Sequence, residues 1–322
     1  MHTLDEILLA RFEESLVRTG LAVRTVVNYM ADLRCFARWL ADQPSPDGGL
    51  LGVRVEDVQR YQARMCEKGQ APSTINRRVH TIRKFYELAT TDGWVPTNPA
   101  CHVRSLPRTV LASPRALTDA EAGALLHAIR SVARSSLLDR DYAIMLLLLG
   151  TGVRVSELVE LQLEDVEFLE EGGYVLVGQR RMDGGRYVPL SPWVCEGLKR
   201  YLQVRPRALT VHYLFLSQGG YPLSPRTVQG LVQNYSRAAG LKGVTPRVLR
   251  DTFALAMLEA TEDVSLVAAL LGHRRVKTTV ERYLNNELGD PLQVQRHADT
   301  HPQKGGRTWS CKTSPRCASA WP

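Results

Sequence analysis

Lysine is scarce in this 322-residue chain: seven of its 41 basic residues are Lys and 34 are Arg. None of the seven falls between Lys84 and Lys199. Any chemistry needing a lysine as proton donor finds none in that interval, and guanidinium holds its proton too tightly to substitute well. Long apolar runs are also missing. The longest, Ala143–Leu149, is far short of the roughly 20 residues a membrane-spanning helix needs, so no membrane partner is expected. The six cysteines are scattered without metal-ligand spacing, and only Cys311 and Cys317 lie close together. That pattern excludes a disulfide framework and a cysteine-ligated metal site. The opening residues carry Asp5 and Glu6 where a secretory leader would carry bases. A reduced, cytoplasmic chain is expected, with no metal and no cofactor.

Hydrophobic residues make up 44% and charged residues 23%, the balance of a folded protein with ample chain for two cores. The net charge of +8 is uneven. Residues 1–112 carry +3, residues 113–290 only +1, and residues 291–322 carry +4. A polyanion partner fits this distribution without being required by it. The abundance of Arg, whose planar fork matches phosphate oxygens, points the same way; a compositional bias of the genome would also produce it.

The organisation reads as mainly α with a small antiparallel β-sheet. In the first domain Val26, Tyr29, Leu33, Phe36 and Leu40 follow helical spacing. A helix around 55–68 should close at Gly69, and Ser73 or Thr74 should cap the next. That helix has an apolar stripe of Ile75, Val79, Ile82, Phe85 and Ala89. Its other sides carry Arg77, Arg78, His80, Arg83 and Lys84, candidates for a phosphate backbone or simply a solvated face. Residues 93–116, with four prolines, read as a linker. Thr118-Asp-Ala-Glu121 forms a capping box that opens a second domain. Strands are expected at Tyr174–Val177 and Tyr187–Leu190 around an Asp183-Gly-Gly185 turn. Helices are expected near 193–203, 225–239, 246–260 and 264–271.

Three separated segments carry the chemistry. They are Thr151-Gly-Val-Arg154-Val-Ser-Glu157, Thr245-Pro-Arg247-Val-Leu-Arg250-Asp-Thr-Phe253, and Leu270-Leu-Gly-His273 followed by Thr278-Thr-Val-Glu-Arg-Tyr283. In this order and spacing the sequence resembles the tyrosine recombinase (phage integrase) family over roughly residues 4–288, as a Xer-like two-domain member. The resemblance implies a helical N-terminal core-binding (SAM-like) domain at 1–110, a catalytic domain at 111–290 and a basic tail at 291–322. It implies double-stranded DNA as partner, a C-shaped clamp around the duplex, and a homotetramer on DNA. Arg154 and Arg250 would fork onto the nonbridging oxygens of a phosphodiester, neutralising charge that grows in the transition state. His273 would donate to the same phosphate, Glu157 would orient Arg154, and Tyr283 would attack phosphorus to form a 3′-phosphotyrosyl link. That link conserves the ester energy, so strand exchange would need neither ATP nor metal. Arg226 and Thr227 are further candidates for DNA contact.

Two positions depart from the family. The first residue of its His-x-x-Arg element is Arg247 here, which cannot act as a base. It either adds positive charge near the phosphate or pairs with Asp251 at i,i+4, worth roughly 0.3–0.5 kcal/mol. The hairpin lysine that would protonate the leaving oxygen is also missing, its place falling near Gln179, Arg180 or Arg181. With Arg181 there, cleavage should be slower than in a typical member, or the proton should come from elsewhere. Two alternatives share the same motifs. One is a DNA-binding relative with weakened or lost catalysis; the other is a type IB topoisomerase or hairpin resolvase.

Overall fold

The computed structural model describes residues 3–21, 23–43, 49–107, 114–178, 185–206 and 212–284. The chain divides into two compact units, Met1–Leu111 and Ala112–Pro322.

The first unit is helical: α1 (Thr3–Arg18), α2 (Val23–Ala41), α3 (Val55–Glu67) and α4 (Pro72–Thr91). The two apolar stripes read from the sequence meet in its core. Val26, Leu33, Phe36 and Leu40 of α2 are buried, as are Ile75, Val79, Ile82, Phe85 and Ala89 of α4, while Tyr29 is partly covered. Gly69 ends α3 with φ +64°, as the sequence suggested. The start of α4 differs from expectation. Neither Ser73 nor Thr74 caps it: Ala71 is the N-cap and Pro72 the first helical residue, where its preset φ suits the helix and its missing N–H costs nothing. The supposed linker also differs in its first half. Val95, Ala100 and Val103 are buried in this unit's core. Asn76 holds Leu106 through both its amide nitrogen (2.9 Å) and its oxygen (2.7 Å). Prolines there mark a folded-back segment rather than a free hinge.

The second unit contains α5 (Asp119–Val132), α6 (Leu138–Thr151), α7 (Val155–Glu160), β1 (Val166–Phe168), β2 (Gly173–Val177), β3 (Arg186–Leu190), α8 (Pro192–Val204), α9 (Pro225–Ala238), α10 (Pro246–Thr261), α11 (Val264–Leu271) and α12 (Val276–Tyr283). The capping box is present: Glu121 N donates to Thr118 Oγ1 (3.2 Å) and Thr118 N to Glu121 Oε2 (3.0 Å). Helix α6 is the centre of the core, with Ala143–Leu149 wholly buried and α5, α8 and α10 packed around it. The antiparallel sheet runs β1-β2-β3 with Val175 opposite Val188. Val175, Val177, Val188 and Leu190 point into the core in the alternation expected of a half-buried sheet. Strand β1 was not anticipated, because three residues show no period. The turn at 183–185 lies partly outside the described residues, and Arg181, Gln179 and Arg180 lie wholly outside them. No helix among the described residues is long and apolar enough to cross a membrane.

Candidate functional site

Two glycine-terminated helices build the site. Helix α6 ends at Gly152 (φ +60°) and α11 at Gly272 (φ +66°). A Cβ at Gly152 would lie 2.5 Å from Phe253, and one at Gly272 would lie 2.7 Å from the Arg186 guanidinium. Both positions therefore require glycine, for conformation and for space. The carbonyls left unpaired at these helix ends are acceptors with partial negative charge, and they hold guanidinium groups. Arg250 donates to Gly152 O and Leu271 O, both at 2.6 Å. Arg154, at the N-cap of α7, donates to Gly272 O at 3.3 Å. Arg186, on β3, donates from Nε to Leu270 O at 2.7 Å.

Glu157 ties this frame together. Its carboxylate receives Arg154 Nη1 (2.9 Å), Arg154 N (2.8 Å), Arg186 Nη1 (3.1 Å) and Arg186 Nη2 (2.9 Å). Its side chain is 2% exposed against 39% for Arg154, so Arg154 keeps an outward edge. Burial pushes the Glu157 carboxyl up, but bonds and charge from Arg186, then Arg154, bring it down to about 2. A lowered folded value means stability that is present above the ordinary carboxylate range and lost as pH falls towards 2. Glu157→Ala strands Arg186 in the interior and should cost about 3–5 kcal/mol. Urea unfolding at neutral pH measures that loss. Repeated down to about pH 3 with Glu157→Gln, it should show a shallower acid loss than the native chain.

His273 follows Gly272 directly. Arg250 Nη2 lies 3.3 Å from its Nε2 and Thr279 Oγ1 lies 2.8 Å from its Nδ1. A guanidinium only donates, so Nε2 accepts and the proton sits on Nδ1, directed at Thr279. Burial, then the charges of Arg250, Arg154 and Arg186, lower His273 to about 4, leaving it neutral at physiological pH. Burial and neighbouring Arg154 lower Arg250 to about 10, so it stays charged.

Tyr283 is the last residue of α12 and is 6% exposed. Its hydroxyl donates to Asp251 Oδ1 at 2.8 Å. Burial, then the Asp251 charge, raises it to about 12. Arg282 pairs with the same carboxylate, through Nε to Oδ1 (3.3 Å) and Nη2 to Oδ2. This corrects the alternative of an Arg247–Asp251 pair: Asp251 turns to α12, and Arg247 is exposed with no ion pair to any of the described residues. Two other tyrosines of this unit, Tyr235 and Tyr201, are core residues. Tyr235 donates to Asp141 (2.6 Å) and the Tyr201 hydroxyl receives Leu216 N (3.1 Å).

Arg154, Arg247, Arg250, Asp251, His273, Arg282 and Tyr283 all line one cleft of about 950 Å³. Its cations outnumber its single lining carboxylate, which suits a phosphodiester. Sequence reasoning missed three contributors. Thr279 fixes the His273 ring, Arg186 closes on Glu157, and Asp251 accepts from the tyrosine. Only the hydroxyl next to Thr278 in the motif hinted at the first.

Residues 115–288 match the model of the phage integrase family, and residues 9–93 that of the phage integrase N-terminal SAM-like domain. The chain belongs to the phage integrase family. It is 31% identical over 294 residues to the tyrosine recombinase XerD of Lacticaseibacillus casei, spanning 89% of this chain and 95% of that protein. It is 32% identical over 294 residues to the tyrosine recombinase XerC of Thermodesulfovibrio yellowstonii, spanning 89% and 93%. Its fold is that of the Tn1549 transposon integrase in complex with transposon right end DNA, with TM-score 0.70, 22% identity and coverage of 90% and 98%. XerH bound to its difH substrate is similar at TM-score 0.69 and 18% identity, covering 91% and 84%.

This phage integrase chain commits part of its basic α4 face internally. Arg83 donates to Ala100 O (3.1 Å) and Val103 O (2.9 Å). Arg77 and Arg78 pair with the buried Asp32, and Arg78 also reaches Gln70 (3.1 Å). His80 is exposed beside Tyr29, Lys84 is half-buried, and the Arg77 side chain remains 44% exposed. In the second unit Arg226 and Thr227 are exposed in the first turn of α9, where Ser224 caps Thr227 N at 3.1 Å.

Proposed function

We propose that this chain is a site-specific DNA strand transferase that cuts and rejoins double-stranded DNA through a covalent 3′-phosphotyrosine at Tyr283. The observation that carries the reading is the convergence of two anchored guanidiniums, Arg154 and Arg250, with Tyr283 in one cleft. Each arginine is held by helix-end carbonyls, so its position is set before substrate arrives and little reorganisation remains at the moment of reaction. Their free edges take the nonbridging oxygens while Tyr283 attacks phosphorus. His273 is neutral in the free protein because it is partly buried and, in addition, three arginines surround it. A bound phosphate offsets that charge, so the ring can take a proton and donate to the anion. Arg247 adds a cation at the mouth of the cleft. Arg77, His80, Lys84, Arg226 and Thr227 contact the DNA backbone, and the working assembly on DNA is a homotetramer. The named relatives are tyrosine recombinases and several solved neighbours are DNA complexes, which supports this reading.

A relative that binds DNA without cutting it is the second reading, favoured by Arg247 in place of His and by the missing hairpin lysine. A nicked suicide duplex carrying the recombination site separates the two. The proposal expects a protein–DNA adduct stable to denaturation, formed slowly because the proton donor is poor. Binding without any adduct supports the second reading.

A further inference from the structure

The residue that would take the proton from Tyr283 is unassigned. Arg247 has no lone pair to offer. The Nε2 lone pair of His273 receives Arg250, and its Nδ1 is directed at Thr279 rather than at the phenol. Glu157 is enclosed by two arginines. With the phenol at about 12, roughly one molecule in 10⁵ would carry phenolate at neutral pH. Attack therefore needs an acceptor within reach.

We propose that Asp251 accepts the proton of Tyr283 during cleavage, one helical turn from position 247, where the family usually places a histidine. The proposal rests on the reading of Tyr283 as nucleophile. Positions 247 and 251 are i and i+4 on α10 and so lie on one face of that helix. A base moved between them stays beside the same cleft, and both residues line it. Asp251 is 3% exposed and its Oδ1 already receives the phenol at 2.8 Å, within the range for direct proton transfer. Arg282 holds the carboxylate from the side of α12.

The step balances. As the bond from Tyr283 Oη to phosphorus forms, its proton passes to Asp251 Oδ1. The bond from phosphorus to the 5′-oxygen breaks, and that oxygen takes a proton from water. In rejoining, the 5′-hydroxyl gives its proton back to water as it attacks phosphorus, the bond from phosphorus to Tyr283 Oη breaks, and Asp251 returns its proton to that oxygen. The groups bonded to Asp251 are Arg282 and Tyr283 on α12; its charge also reaches His273 beyond α11, while Arg247 and Arg250 of α10 line the same cleft without bonding to it. From α6, Arg140 and Asp141 close on each other and on Tyr235 instead.

The test is single-turnover adduct formation by the native chain, Asp251→Asn and Asp251→Glu. Rates are followed from about pH 6.5 to 9 on an ordinary suicide duplex and on one with a 5′-bridging sulfur. Asp251→Asn should be about 10²-fold slower at neutral pH and gain about tenfold per pH unit, while the native rate stays nearly flat. The deficit should persist with the sulfur leaving group, which needs no proton. Asp251→Glu should recover part of the rate, showing that a carboxylate rather than the fold is at issue. A native-like rate in Asp251→Asn overturns the proposal. So does a pH-independent drop, which marks Asp251 as only an anchor for Arg282. Rescue by the sulfur substrate also overturns it, by placing Asp251 on the leaving group. If the native chain forms no adduct, the nucleophile reading falls and this proposal with it. If the native chain does form one, any of the three contrary results removes Asp251 alone.

Discussion

Tyr283→Phe should leave DNA binding intact and reduce adduct formation to background. The substitution removes one oxygen from a side chain that is otherwise packed in the core of the second unit. The hydroxyl's hydrogen bond to Asp251 is lost, which should cost about 1 kcal/mol of stability and leave the fold in place. What disappears is the only atom of that side chain able to bond to phosphorus. Retention of the DNA shift in a gel, together with loss of the covalent band, is the expected pair of results. Tyr235→Phe and Tyr201→Phe should each still form the adduct, because both hydroxyls serve buried hydrogen bonds and neither residue lines the cleft.

Arg250→Ala should slow cleavage by about 10²–10³-fold, the usual loss when one prepositioned donor to a developing anion is removed. It should also lower stability by about 1–3 kcal/mol, since Gly152 O and Leu271 O lose their partner. Arg250→Lys separates charge from geometry. The ammonium keeps a positive charge but cannot span two carbonyls and still fork onto a phosphate. It should bind DNA nearly as well as the native chain and cleave well below it. Single-turnover rates with melting temperatures for the three proteins check both parts.

Much of this arrangement was readable before the fold. Helical spacing located the α2 and α4 stripes. Motif order placed Arg154, Arg250, His273 and Tyr283, and the structure brings all four to one cleft. What escaped has physical reasons. The start of α4 was misread because hydroxyl caps were preferred over a proline at the first helical position. The buried segment around Ala100 was misread because proline content signals irregular backbone, not whether that backbone is packed. Asp251 escaped because i,i+4 spacing pointed it at Arg247, whereas tertiary packing of α12 brought Arg282 and Tyr283 closer. Sequence separation hides such a contact: Tyr283 and Asp251 are 32 residues apart.

In the proposed reaction Tyr283 becomes joined to DNA through its phenolic oxygen. The most direct measurement traps the native chain on a suicide duplex, digests protein and DNA, and identifies the modified peptide by mass spectrometry. A nucleotide 3′-phosphate on the peptide containing Tyr283 is the predicted result. Attachment at another residue, or binding at saturation with no modified peptide, would rule out Tyr283 as the nucleophile.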